Sequence, residues 1–357
     1  MSIPTAGLLV SAYALGVAVG GPVFSVLTAR FPPKPTLIAV IAAFIVSQVL
    51  CALAPDYGLL LLARLVSSAG HGLFFGVGGV VVAGLAPPEK RGTAFSLFIG
   101  GITIANLLGL PGGTAIAVAF GWRASFIGVA ALGLLAALAL LWKLPAIPAP
   151  VDDSRRLSSQ VRALRHHRVW LSYLTIIVVM IGVITFATYQ VPMMIEITGL
   201  SPDIVPLYLL LSGIGAVLGI YAGGQATDWR PMPSLIVVLL LQAISFFALA
   251  AIGLYDPVYL APNIFAAGAL GFAFSTPLQA RIIHAAREAP NLASALISTS
   301  FNLGIAGGAF LGATLLNAGV HLGDLPTVGT VTALIAAGIA TLSWQFDVRE
   351  QAGLSTP

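Results

Sequence analysis

The chain is a succession of apolar runs, each about 20 residues long, and that length decides what the chain can fold into. As a helix, such a run crosses the roughly 30 Å hydrocarbon core of a bilayer. Inside lipid every backbone polar group must be satisfied internally, which leaves helices and closed barrels. A barrel would show shorter segments of alternating polarity, and these runs do not alternate. Eleven helices are expected, over 6–28, 36–54, 58–85, 92–118, 124–144, 169–195, 203–226, 233–254, 258–283, 291–316 and 326–346. Turn-forming groups such as Pro32-Pro33, Pro87-Pro88-Glu89 and Gly199-Leu200-Ser201-Pro202 separate most of them. Only 8% of residues are charged, against about 25% in a soluble domain. The mean hydropathy is +1.01, so most of the surface must face lipid or other helices. The expected fold class is an all-α polytopic membrane protein.

The charges that remain are sorted by side. With the loops assigned alternately, Arg123 falls on one side and Arg64 lies inside a helix. Every other lysine and arginine falls on the opposite side. That side is expected to be cytoplasmic, with the C-terminus there. The asymmetry also accounts for the pI of 9.4 without nucleic acid as a partner. The sizeable polar stretch 146–168 reads as a cytoplasmic linker between a bundle over 1–145 and a second over 169–346, with a tail over 347–357. His166-His167 within the linker is a weak metal signal, and no metal is expected. The single cysteine, Cys51, lies in an apolar run and reads as a packing residue.

A constant offset of 199 residues relates the two bundles. Gly16, Gly20, Gly72, Gly109 and Gly113 fall on Gly215, Gly219, Gly271, Gly308 and Gly312, and Phe75 falls on Phe274. Parallel repeats in an apolar chain build many secondary transporters, with the substrate site between the halves. The segment 169–198 has no counterpart in the first half, so one helix before Met1 is expected to be missing from the sequence as written.

Several motifs then carry a resemblance. Gly224-Gln225-Ala226-Thr227-Asp228-Trp229-Arg230 occupies the loop that corresponds to Arg30 and Lys34 in the first half. Pro87-Pro88-Glu89-Lys90-Arg91-Gly92 links two helices, Gly121-Trp122-Arg123-Ala124-Ser125-Phe126 opens the fifth, and Asn106-Leu107-Leu108-Gly109-Leu110-Pro111-Gly112-Gly113 lies in the fourth. Together they resemble the major facilitator superfamily, in its drug:proton antiporter branch. Ser11-Ala12-Tyr13-Ala14-Leu15-Gly16, His71-Gly72-Leu73-Phe74-Phe75-Gly76 and Pro277-Leu278-Gln279-Ala280-Arg281 look like its arabinose-efflux-permease group. The resemblance implies two parallel-related helical bundles and alternating access. It implies a loop latch at Arg30, Lys34, Asp228 and Arg230, with Ala29 standing where the family has Asp. It makes Gly101, Asn106, Gly109, Pro111 and Gly113 an antiporter-motif helix, and Arg64 part of a proton relay. The family's first helix, which commonly carries a coupling carboxylate, is the one missing.

Ionisable groups at membrane depth are expensive and point to function. Arg64 and His71 qualify, seven residues apart and so on one helix face. Glu196, at the outer end of its helix, is a third proton-coupling candidate. Tyr13, Phe74, Phe75, Asn106, Tyr189, Gln190, Tyr208, Phe274, Gln279, Phe301 and Asn302 are candidates to line a cavity for an amphipathic solute. The alternative for each is interhelical hydrogen bonding or plain packing. None of Lys34, Lys90 and Lys143 follows a glycine as in a phosphate-binding loop, so ATP is not expected. The spans carry no clustered catalytic set, and an enzyme is not expected. The expected function is proton-coupled efflux of drug-like or sugar-like molecules by a multi-pass protein of the bacterial inner membrane. The partners are a small-molecule substrate, protons and the bilayer; no cofactor beyond the proton gradient is expected, and the chain reads as a monomer. A nutrient importer of the same fold, or a non-transporting membrane protein, is the alternative.

Overall fold

The computed structural model describes residues 2–28, 30–85, 87, 90–147, 167–286 and 290–354. Every regular element among them is helical: α1 (Ile3–Thr28), α2 (Pro33–Leu53), α3 (Tyr57–Leu85), α4 (Arg91–Phe120), α5 (Trp122–Lys143), α6 (His167–Glu196), α7 (Val205–Trp229), α8 (Pro231–Ala251), α9 (Pro257–Ala273), α10 (Ser275–Ala285), α11 (Pro290–Asn317) and α12 (Leu325–Leu354). Among the described residues, eleven stretches are long and apolar enough to cross a membrane, with α9 and α10 sharing one of them. Ala29, Pro88, Glu89, Arg287, the linker residues 148–166 and the last three residues of the expected tail lie outside the described residues.

The helix ends follow local chemistry. Proline begins α2, α8 and α9, where its missing N–H costs nothing and its fixed φ suits the first turn. The Asp256 carboxylate caps α9 by accepting from the Val258 backbone N–H at 2.8 Å. Between α4 and α5 the chain turns at Gly121, whose φ of 82° suits glycine. One expected helix, 258–283, is broken at Phe274. Pro277 has no N–H to offer the Ala273 carbonyl, four residues back. That oxygen instead points at Gly223 of α7, close enough that a Cβ on Gly223 would collide with it. Ser275 Oγ donates to the Phe272 carbonyl at 2.7 Å and helps to satisfy the break.

The chain forms two compact units, one of Leu9–Ser154 and one of Ser2–Leu8 with Arg155–Pro357. In the first, α1 lies on α3 through small residues. A Cβ on Gly16 would overlap the Ser68 hydroxyl, and one on Gly20 would come within 3.1 Å of the Ala69 Cα. Gln48 of α2 donates to Ser67 of α3 at 3.0 Å, with both side chains buried. The Arg123 guanidinium donates to the Ala54 carbonyl at the end of α2, at 2.9 Å. The opposite end is tied by Lys34, whose ammonium donates to the Leu144 and Leu141 carbonyls that close α5. A cation there also meets the negative end of the helix dipole.

The second unit packs around α6. Ile176, Met180, Phe186, Met193, Leu239, Phe246 and Phe274 are almost fully buried there. Three hydroxyls of α6 donate to backbone carbonyls across the packing: Tyr173 to Ala293 (3.1 Å), Thr185 to Gly308 (2.9 Å) and Tyr189 to Ala309 (3.1 Å). The repeat has a physical meaning here. Gly215 and Gly219 of α7 abut the Phe265 and Ala269 carbonyls of α9. Their counterparts Gly16 and Gly20 abut α3, which corresponds to α9. Glycine recurs because the same two helices approach closely in each unit.

Candidate functional site

Three of the residues singled out in the sequence meet in the first unit. The small-residue contact of α1 on α3 sets the azimuth of both helices. Tyr13 lies one turn before Gly16 and Arg64 one turn before Ser68, so both point along the shared seam. The Arg64 guanidinium stands over the Tyr13 ring, with Cζ 4.1 Å from its centroid. The Tyr13 hydroxyl shares a hydrogen bond of 2.9 Å with His71 Nδ1. Tyr13 thus touches, with its two ends, residues seven positions apart on α3. Arg64 sits about 10 Å along α3 from Tyr57, and His71 about 21 Å, at 1.5 Å per residue. That places His71 near mid-helix.

The arrangement has a definite chemistry. A neutral imidazole has one donor nitrogen and one acceptor, whereas the protonated ring has two donors. With Nδ1 unprotonated, Tyr13 donates to it; a proton on Nδ1 reverses the bond, and the hydroxyl must then accept and send its own hydrogen elsewhere. The ring of Tyr13 is held meanwhile by a contact worth about 0.5–2 kcal/mol between cation and aromatic face. The set can therefore register a proton as a change of hydrogen-bond direction at one hydroxyl.

On its other side His71 opens on a cavity of about 250 Å³ between α2, α3 and α5. Phe44, Gly70, Phe74, Phe75 and Gly133 form much of its wall, and His71 is the one titratable side chain in the lining among the described residues. His71 packs on Phe75 at 5.1 Å between centroids, and Phe75 meets Phe74 and Phe98 edge to face at 5.9 and 5.8 Å. An apolar, aromatic wall with one polar group is the usual composition of a small-molecule site.

The remaining expected site residues are placed elsewhere. Tyr189 and Gln190 are buried in the core around α6, Tyr189 with its ring on Gly312. Phe274 is fully buried and stacks on Phe301 at 6.1 Å. Tyr208 donates to the Pro257 carbonyl at 3.3 Å, and Asn302 to the Ser298 carbonyl of its own helix at 2.9 Å. Gln279 is half-buried on α10, and Glu196 is exposed at the end of α6. On α4, Asn106 is exposed, Pro111 is accommodated without ending the helix, and a Cβ on Gly101, Gly109 or Gly113 would meet no described atom within 4 Å. In the second unit the counterparts of the last two, Gly308 and Gly312, are closely packed against α6. Of the latch residues, Lys34 holds the end of α5, Arg30 lies beside Phe31 (5.6 Å), and Arg230 lies beside Trp229 (5.3 Å). Asp228 is exposed at the end of α7.

Two features had no signal in the sequence. Phe44, Gly70 and Gly133 join the cavity from three helices, and only helix packing brings them together. Asp347, beyond the last expected span, lies on an extended α12 and forms ion pairs with Arg168 at 2.7 Å and Arg281 at 2.5 Å.

A profile of the Major Facilitator Superfamily matches residues 1–309. The inner membrane transport protein YdhP of Escherichia coli (strain K12) is 35% identical over 358 residues, 98% of this chain and 88% of that protein. A chloramphenicol resistance protein of Streptomyces lividans is 31% identical over 343 residues, 95% of this chain and 85% of that protein. In three dimensions the chain is similar to a bacterial homolog of the human lysosomal transporter Spinster, crystallised in an inward-facing, unoccupied conformation. The TM-score is 0.72 and the identity 16%, over 96% of this chain and 89% of that one.

Proposed function

Because this chain belongs to the Major Facilitator Superfamily, a family of transporters rather than enzymes, we propose that it exports small amphipathic molecules in exchange for protons. The observation that carries the proposal is the Arg64–Tyr13–His71 set, with its hydrogen bond of 2.9 Å beside an aromatic cavity. Exchange needs a group that takes up and releases a proton while the solute moves. His71 is a titratable side chain on a spanning helix, already hydrogen-bonded to Tyr13. Tyr13 conveys proton uptake there to Arg64, since its hydroxyl and its ring are engaged at once. A relative named for chloramphenicol resistance fits an exporter whose solutes are aromatic and amphipathic. The name YdhP carries fits the inner membrane, and the basic loops fit a cytoplasmic C-terminus. Export proceeds by alternating access, and the energy comes from the proton gradient without ATP.

The test is the steady-state level of labelled drug-like and sugar-like compounds in cells that express the full chain. An exporter lowers the level of its substrate relative to cells carrying an empty vector, and a protonophore restores it. A level raised above the control would instead assign import.

A further inference from the structure

The size and wall of the cavity beside His71 narrow what it can hold. Its volume is about 250 Å³. An apolar cavity of about 150 Å³ holds benzene, whereas drug-sized ligands take about 300–1,000 Å³. The space therefore suits one ring with a short substituent. Gly70 and Gly133 put bare backbone on two sides, so Phe44, Phe74 and Phe75 set its shape. Phe74 and Phe75 stand at 86° to each other. A guest ring can meet one of them edge to face while lying offset along the other, the two arrangements that aromatic pairs favour. Among the described residues the wall holds no Asp, Glu, Lys or Arg, so an ion would enter without a partner. A sugar would bring several hydroxyls to one polar side chain, and each hydroxyl left unpaired weakens binding about tenfold.

The one polar group is also aimed. Gln48 Nε2 donates to Ser67 Oγ at 3.0 Å, with both side chains buried. That bond leaves the hydrogen of Ser67 for Tyr13, to which the Ser67 side chain is hydrogen-bonded. Tyr13 can then pass its own hydrogen to His71 Nδ1, 2.9 Å away. A neutral imidazole whose Nδ1 accepts carries its hydrogen on Nε2. Nδ1 is taken by Tyr13, so Nε2 is the nitrogen left for a ligand. We propose that the cavity binds one uncharged aromatic ring bearing a hydrogen-bond acceptor, as in an aryl ketone or a nitroarene, with the acceptor on His71 Nε2–H. Gln48 and Ser67 are positioning residues, which fix that donor through Tyr13. As the substrate class of the proposed exporter this rests on that reading; as a binding site it is tested without flux.

The full chain, purified in a neutral detergent, is placed in equilibrium dialysis with empty micelles opposite. The ligands are labelled acetophenone and labelled ethylbenzene, which has a similar shape and no acceptor. Both are expected to bind saturably, and glucose is not expected to compete. The preference for acetophenone over ethylbenzene is expected to fall about fivefold in His71→Phe, the worth of one hydrogen bond. Ser67→Ala should reduce the same preference and Ser67→Thr restore it, which a loss of packing alone would not do. Ala136→Phe, which adds a ring to the cavity wall, should weaken both ligands alike. Absence of saturable binding, or a preference unchanged in His71→Phe and Ser67→Ala, overturns the proposal. Export in the cellular assay without this binding would overturn the site alone, and binding without export would overturn the exporter and leave the site.

Discussion

At the scale of single residues, Tyr13 is the side chain whose two ends can be tested apart. Tyr13→Phe keeps the ring under Arg64 and deletes the hydroxyl that His71 Nδ1 meets at 2.9 Å. The bond matters most when the imidazole is charged, where it is worth about 1.5–3 kcal/mol, so proton-driven export is expected to fall by roughly tenfold or more, with a smaller drop in melting midpoint than Tyr13→Ala gives. Tyr13→Ala also removes the aromatic face and should lower the midpoint. Equal transport in Tyr13→Phe and the parent would remove Tyr13 from the relay. A second expectation concerns Asp347. Removing one partner of a largely buried ion pair costs about 3–5 kcal/mol, and Asp347→Ala leaves two guanidiniums facing each other. It should destabilise the protein in detergent far more than Arg230→Ala, and similar midpoints for the two would contradict the pairing. Arg64 and His71 were legible in the sequence because charge and imidazole are costly inside an apolar run. Tyr13 was legible as a polar residue, but its partners were not, since they lie 51 and 58 positions away along the chain. Asp347 was hidden for another reason: apolar periodicity stops before it, while α12 continues to Leu354, and its partners Arg168 and Arg281 lie far away along the chain.

At the scale of elements, the helices were legible because a run of about 20 apolar residues has one stable form in lipid. The break at Phe274 was not, because Pro277 sits within a run that stays apolar on both sides. The repeat was legible through glycine, and the packing explains why. Gly219 lies so close to the Ala269 carbonyl of α9 that a Cβ would overlap it, whereas Gly224, further along α7, has its nearest contact at 3.9 Å. In an exposed helix, alanine for glycine gains about 1 kcal/mol. Gly224→Ala should therefore be neutral or mildly stabilising. Gly219→Ala must push α7 from α9 and should cost about 1–3 kcal/mol, as overpacking does. Thermal melting of the two variants side by side checks this, and equal midpoints would contradict the backbone contact.

At the scale of the whole molecule, the family is carried by the order of the motifs along the chain, and a match over residues 1–309 bears it out. The cavity at His71 was not legible, because its wall comes from three helices and takes shape only when they pack. The proposed exchange of protons for solute ties that cavity to the relay beside it. The direct test is proton movement in proteoliposomes that hold the full chain and a pH-sensitive dye. A substrate found in the cellular assay is added on one side, and the proton flux is compared between the parent and His71→Gln. The account predicts a substrate-dependent proton flux opposite in direction to the solute, abolished by His71→Gln. Solute movement without proton flux in the parent, or undiminished flux in His71→Gln, would contradict it.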